Sequence, residues 1–140
     1  HVFLSLLGIA CSYATWMGLT KSKISRTYLV WTSVSAAVCY LLAWLSGGYY
    51  YVVYYGTKVK PVILKSAYPW AHTFFLEVKE HIFMFLPFMA IVTAVVLVAM
   101  DKERGLDERV RKPLVYLVAF TTIIGILIAL AGIVTSGAVR

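Results

Sequence analysis

The sequence predicts an all-α integral membrane protein: a four-helix bundle with an interfacial amphipathic helix before the third span. Hydrophobic residues make up 61% of the 140 residues, and the mean hydropathy is +0.84, whereas soluble domains are about 45–50% apolar. Four runs also approach the roughly 20 apolar residues that a helix needs to cross a hydrocarbon core about 30 Å thick. We therefore expect one membrane domain over residues 1–140.

The four predicted spans follow from runs without charge, and they cover approximately residues 1–20, 27–46, 82–100 and 113–136. The first run ends at Lys21 and the third ends at Asp101. The adjacent Gly47 and Gly48 are predicted to break the second helix. Pro113 stands at the predicted start of the fourth helix, a position that tolerates proline.

Three connections join these spans. Residues 21–26 are short and basic, and residues 101–112 contain five bases and four acids. The longest connection, residues 47–81, begins with tyrosines typical of an aromatic belt at lipid headgroups. Its segment 61–80 is too polar to span and mixes charged with aromatic side chains, which favours a helix lying in the membrane interface. No internal repeat is evident in the sequence.

Charge in the connections predicts the orientation, because lysine and arginine are enriched on the cytoplasmic side of membrane proteins. The first and third connections must share a side, and together they contain eight bases: Lys21, Lys23, Arg26, Lys102, Arg104, Arg109, Arg111 and Lys112. The middle connection contains four: Lys58, Lys60, Lys65 and Lys79. We therefore expect both termini and the connection 47–81 on the outer side. Twelve of the thirteen bases lie in these connections and the other, Arg140, lies at the C-terminus, which argues against a nucleic-acid interface.

Small residues and cysteines within the spans are best interpreted as packing positions. Gly125, Ala129 and Gly132 share one face of the fourth helix, where they favour close helix packing within the bundle, with a dimer interface as the alternative. Cys11 and Cys39 lie in separate apolar runs and are expected to be buried and unpaired, although a bridge between the first two helices is the alternative.

Candidate ligands concentrate where the third span begins. Glu77, Glu80, His81 and Met84 fall within an arc of about 100° on a helix, because they are spaced three, four and seven residues apart. The predicted orientation places His1, His72 and His81 on the same outer side. Ionisable groups at a membrane boundary are costly to retain, which makes this cluster the candidate functional site.

Two kinds of cofactor fit these residues. A b-type haem between two helices would take His1 and His81, or His1 and His72, as axial ligands. A copper, iron or zinc ion would use His81 with Glu77 or Glu80, with Met84 on the same face. If His1 is a mature N-terminus, its amino group and ring resemble the amino-terminal histidine site of copper oxygenases. The competing interpretation is a solvated, ion-paired face with no cofactor.

The sequence leaves two functions open. The first is a redox subunit that holds haem or a metal ion near the outer face and transfers electrons within a respiratory-type complex. The outline is similar to that of four-helix membrane cytochromes b, and this likeness is architectural. The alternative is a cofactor-free accessory subunit whose spans pack on other membrane subunits, or on copies of itself, within the lipid bilayer. Neither one carries a motif that identifies an enzyme.

Overall fold

The computed structural model describes residues 1–21, 24–54, 82–100 and 106–137, and these residues are helical with no strand among them. The four helices are α1 (Val2–Thr20), α2 (Arg26–Tyr50), α3 (Phe85–Ala99) and α4 (Glu108–Gly137). The all-helical prediction is confirmed for this part of the chain. Three helices, α1, α2 and α4, are long and apolar enough to cross a membrane, whereas α3 has only 15 residues. The predicted interfacial helix at 61–80 lies outside the described residues.

The prediction that Gly47 and Gly48 end the second helix is wrong. Helix α2 continues through both residues to Tyr50, and a wider helical turn extends over residues 51–54. Glycine costs a helix only about 1 kcal/mol relative to alanine. Here Gly47 packs against His1, with 3.7 Å between the nearest ring atom and the position of an added Cβ. Packing of this kind offsets the weak local preference to end the helix.

The third helix starts later than predicted, at Phe85 and not at residue 82. Residues 82–83 are helical, but Met84 forms a turn before α3 begins. Pro87 explains the interruption, because it has no N–H to donate to the carbonyl four residues earlier, at Phe83, and its ring crowds that carbonyl. Pro87 itself is tolerated because it lies in the first turn of α3.

The fourth helix starts five residues earlier than predicted. Asp107 begins it: its carbonyl oxygen accepts from the backbone N–H groups of Val110 and Arg111, and its Oδ1 accepts from that of Arg109 at 3.1 Å. Pro113 therefore lies in the second turn of α4, and not at its start. The loss of one backbone hydrogen bond there is tolerated because Pro113 is exposed.

The helices run alternately up and down, and each packs on its chain neighbours, with α4 closing the bundle against α1. Arginine side chains link the ends. Arg26, at the start of α2, donates to the carbonyl oxygens of Val98 and Met100 at the end of α3. Arg111 donates to the carbonyl oxygens of Leu19 and Lys21 at the end of α1. We call this the basic end of the bundle, and the opposite end the His1 end.

The two helical hairpins, α1–α2 and α3–α4, share a packing register: the same relative positions along their helices are buried. Buried positions of the first helix in each hairpin correspond at a constant offset: Gly8 with Leu86, Ser12 with Ala90, Thr15 with Thr93, and Leu19 with Leu97. The second helices correspond equally well: Leu29 with Leu114, Ser33 with Val118, Ala36 with Thr121, Ala37 with Thr122, Tyr40 with Gly125, and Ala43 with Ile128. The two hairpins therefore bury corresponding positions along their helices.

This register is also visible in the sequence once the helices are aligned. Arg26, Leu29, Val30 and Trp31 correspond in turn to Arg111, Leu114, Val115 and Tyr116. In later turns the corresponding residues differ, and a large side chain in one hairpin matches a small one in the other: Tyr40 of α2 corresponds to Gly125 of α4. An added Cβ on Gly125 would lie 3.0 Å from the Tyr40 hydroxyl oxygen, and one on Gly8 would lie 2.9 Å from the Tyr40 ring. One large side chain thus fills the space that two glycines leave.

The outside of the bundle is apolar. Large side chains with more than half of their surface exposed occur on all four helices, including Phe3, Trp31, Phe88 and Tyr116. Such a surface is unusual for a soluble monomer and suits contact with lipid or with other membrane helices. The composition-based prediction of a membrane protein is consistent with this arrangement.

Candidate functional site

Four of the six predicted ligands, His72, Glu77, Glu80 and His81, lie outside the described residues. The other two, His1 and Met84, both lie toward the His1 end. Met84 occupies the turn before α3, with 49% of its surface exposed. Within residues 1–21, 24–54, 82–100 and 106–137, no group of three or more histidine, cysteine, aspartate or glutamate side chains could hold a metal ion.

His1 is positioned by α1 and by the end of α2. Its carbonyl oxygen accepts from the backbone N–H of Ser5 at 2.9 Å, which starts the first turn of α1. Its ring lies 5.9 Å from the ring of Tyr50, centroid to centroid, and the Tyr50 ring lies 5.2 Å from that of Tyr54. Because Gly47 has no side chain, the imidazole approaches the α2 backbone closely. His1 therefore lies beside the Tyr50 ring at one end of the bundle.

The up-and-down topology brings this histidine to the end of the bundle where the chain enters α3. The contacts of Arg26 with the last residues of α3 show that α3 runs antiparallel to α2. Because α3 is shorter than α2, its first turn lies beside Tyr40, so Met84 lies in the half of the bundle toward His1 but does not reach the level of Tyr50. The sequence cluster Glu77–His81 immediately precedes Ile82, the first described residue of this segment.

The two cysteines, Cys11 and Cys39, are free, and Cys39 is buried. The prediction of unpaired thiols is confirmed. The interpretation of Gly125 as a packing position is also supported, because an added Cβ there would lie 2.9 Å from Ile9 of α1. Gly125 thus allows α4 to pack closely against α1 inside the bundle.

Buried hydroxyl groups at the middle of the bundle form a feature that the sequence interpretation missed. In the part of the chain that the structure describes, six serine and threonine residues are buried: Ser12, Thr15, Ser33, Thr93, Thr121 and Thr122. Most donate to a carbonyl three or four residues earlier in their own helix, as Thr93 does to Met89 at 2.9 Å. Others link helices: Thr15 donates to the Thr32 hydroxyl at 2.9 Å, and Ser12 to the Tyr40 hydroxyl at 3.4 Å.

A small cavity lies among these hydroxyl groups. Its walls are four of the corresponding pairs of positions from the two hairpins: Ser12 with Ala90, Thr15 with Thr93, Ser33 with Val118, and Ala36 with Thr121. The cavity therefore lies between the two repeats. Tyr40 lies toward the His1 end, and a cluster of Leu19, Leu29, Leu97 and Leu114 lies toward the basic end.

A signal for this interior was present in the sequence. Ser12, Thr15 and Leu19 are spaced as one helix face, and so are Ala90, Thr93 and Leu97. Hydroxyl groups on the same face as apolar core positions, in spans without charge, indicate polar groups turned toward the bundle interior. The correspondence between the two hairpins supports the same inference.

Comparisons with known protein families, curated proteins and solved structures found no match for this chain.

Proposed function

We propose that this protein is a membrane subunit that binds a b-type haem or a metal ion at the His1 end and transfers electrons within a larger membrane complex. In this proposal α3, together with residues 82–84 before it, forms a fourth span beside α1, α2 and α4. The His1 end faces the outer side, in line with the bases concentrated in the connections of the basic end.

The observation that supports the proposal is that the alternating helices place His1 and the start of α3 toward the same end of the bundle. The imidazole of His1 lies against Gly47, near the end of α2, and in the sequence His81 directly precedes Ile82, the first described residue before α3. Two histidines from the first and third helices are the ligand set that a haem inserted between helices requires. A carboxylate from Glu77 or Glu80 would complete a metal site of nitrogen and oxygen ligands instead.

Absorption spectroscopy and metal analysis of the purified full chain test the proposal. We expect either a Soret band, present on isolation or after addition of haem, or about one equivalent of copper, iron or zinc per chain. The variants H81A and H1A should each lower the occupancy severalfold. A chain that stays colourless and free of metal after both additions would refute the proposal.

The matched control is K79A. Lys79 lies between Glu77 and Glu80 in the sequence but has no lone pair to offer a metal ion while it is protonated. Its replacement should leave the Soret intensity or metal content unchanged. If K79A lowers occupancy as much as H81A does, the histidine is not acting as a ligand, and the segment has simply been perturbed.

A second candidate function, an accessory subunit without a cofactor, is favoured by the exposed apolar faces. In the most apolar stretches of α1, α2 and α4, only 28%, 39% and 33% of the residues are buried within the chain. The remaining surface suits neighbouring helices as well as lipid. Phe88 on α3 and Tyr116 on α4 are among its largest exposed side chains.

Affinity purification from mild detergent distinguishes the two functions. If the chain is an accessory subunit, F88A and Y116A should release co-purifying membrane proteins, and H81A should not. If it is a redox subunit, H81A should lower the cofactor signal severalfold, whether or not the complex survives.

A further inference from the structure

The cavity between the two hairpins is small and rich in hydrogen-bond acceptors. Its volume is about 10 Å³, which is about the minimum that one water molecule needs. Five hydroxyl groups line it: Ser12, Thr15, Ser33, Thr93 and Thr121. The cavity is therefore too small for an organic ligand and too polar to be filled by lipid tails.

The hydroxyl groups that line the cavity already donate their protons to other acceptors. Ser33 donates to the Val30 carbonyl at 3.0 Å, and Thr121 donates to the Leu117 carbonyl at 2.8 Å. Thr93 donates to its own helix in the same way. Each hydroxyl oxygen can still accept, because it has two lone pairs and has given away only its proton. The walls therefore offer acceptors and almost no donors.

Only a small hydrogen-bond donor matches such a site. We propose that the cavity binds one water molecule, which donates its two O–H groups to hydroxyl oxygens from both hairpins. An anion would find no donors. A monovalent cation would lose its hydration shell for neutral oxygens, because no carboxylate lines the cavity. Water requires neither a countercharge nor a donor, and in turn links the two repeats across their interface.

The site is distinct from the proposed cofactor site. It lies between the buried Tyr40 ring and the leucine cluster of Leu19, Leu29, Leu97 and Leu114. These two layers separate it from both ends of the bundle, so a water molecule there should exchange slowly with bulk water. Slow exchange and contact with buried methyl groups make the bound water observable by NMR.

The test is a rotating-frame cross-relaxation experiment on the full chain in lipid nanodiscs, with labelled alanine and threonine methyl groups. We expect water cross-peaks at Ala36 and Ala90, whose methyl groups line the cavity. Ala10, which is exposed on the outer face of α1, should show none and serves as the control. In the double variant T93V/T121V, which preserves side-chain shape, the peaks at Ala36 and Ala90 should fall to background.

Three outcomes would overturn the proposal. The first is the absence of water cross-peaks at Ala36 and Ala90 in the native protein, a measurement that does not depend on the variant folding. The second is full retention of those peaks in T93V/T121V, since the hydroxyl groups would then not hold the water. The third is loss of the peaks in sodium chloride and their return in N-methylglucamine chloride, which would identify a sodium ion as the occupant.

Discussion

Replacement of Arg111 by glutamine should destabilise the bundle markedly. The guanidinium donates from Nε to the Leu19 carbonyl and from Nη2 to the Lys21 carbonyl, each at 2.8 Å. Both acceptors lie at the end of α1, where carbonyls have no partner within the helix. Glutamine removes the positive charge and is too short to reach both carbonyls.

The size of the effect follows from these two bonds. A hydrogen bond to a charged group contributes about 1.5–3 kcal/mol when it is buried. The Arg111 side chain is 27% exposed, so water replaces part of each bond, most of all at the exposed Lys21. We expect a loss of about 2–3 kcal/mol in the free energy of unfolding, or about 30- to 150-fold in the equilibrium constant. The ion pair with Glu108, at 3.7 Å, adds only a few tenths of a kcal/mol because Glu108 is 65% exposed.

Reversible unfolding in mixed micelles, titrated with a denaturing detergent and followed by tryptophan fluorescence, measures this loss. R109Q is the matched control, because Arg109 lies in the same turn, carries the same charge and is exposed. We expect R109Q to unfold within about 0.5 kcal/mol of the native protein. If R111Q and R109Q unfold at the same detergent fraction, the two carbonyl contacts do not stabilise the bundle.

Four further substitutions test the packing. G125A should destabilise the bundle by about 1–3 kcal/mol in the same unfolding assay, because its Cβ would lie 2.9 Å from Ile9 and 3.0 Å from the Tyr40 hydroxyl. The control is G48A, whose Cβ would have nothing within 4 Å and which should stabilise by up to about 1 kcal/mol. If G48A were the more destabilising of the two, the packing at Gly125 would be contradicted. Y40F should cost about 1 kcal/mol, since it removes the Ser12 contact and keeps the ring; a loss above about 3 kcal/mol would mean that the hydroxyl has further partners. P87A should restore a continuous helix through Met84. The expected sign is slower amide exchange at residues 83–86 than in the native protein, and unchanged exchange there would refute the explanation.

Hydropathy predicted the helices well and their ends poorly. A span is specified by many residues together, so the runs before Lys21 and Asp101 located α1 and α3 to within a few residues. An end depends on one or two local contacts. Gly47 and Gly48 lie within α2 because the packed helix tolerates a small local cost. Asp107 starts α4 ahead of Pro113 because its side chain satisfies a free N–H group of the first turn.

The candidate site was harder to predict than the fold. Helical periodicity placed Glu77, Glu80, His81 and Met84 on one face, but only contacts between helices could show what lies opposite them. The topology brings His1 and Met84 toward one end, in line with the alternation of spans. The hydroxyl-lined interior was missed because each serine or threonine is unremarkable alone. It becomes visible only when Thr15 is matched with Thr93 and Ala36 with Thr121 across the two hairpins.

Cysteine accessibility tests the proposed orientation, in which the chain crosses the membrane with its His1 end outside and its basic end inside. In a C11A/C39A background, Y49C introduces a thiol at an exposed position of the His1 end, and E108C introduces one at the basic end. A membrane-impermeant maleimide should label Y49C in intact cells, and should label E108C only after permeabilisation. Labelling of both positions in intact cells, or of E108C alone, would contradict the proposed orientation.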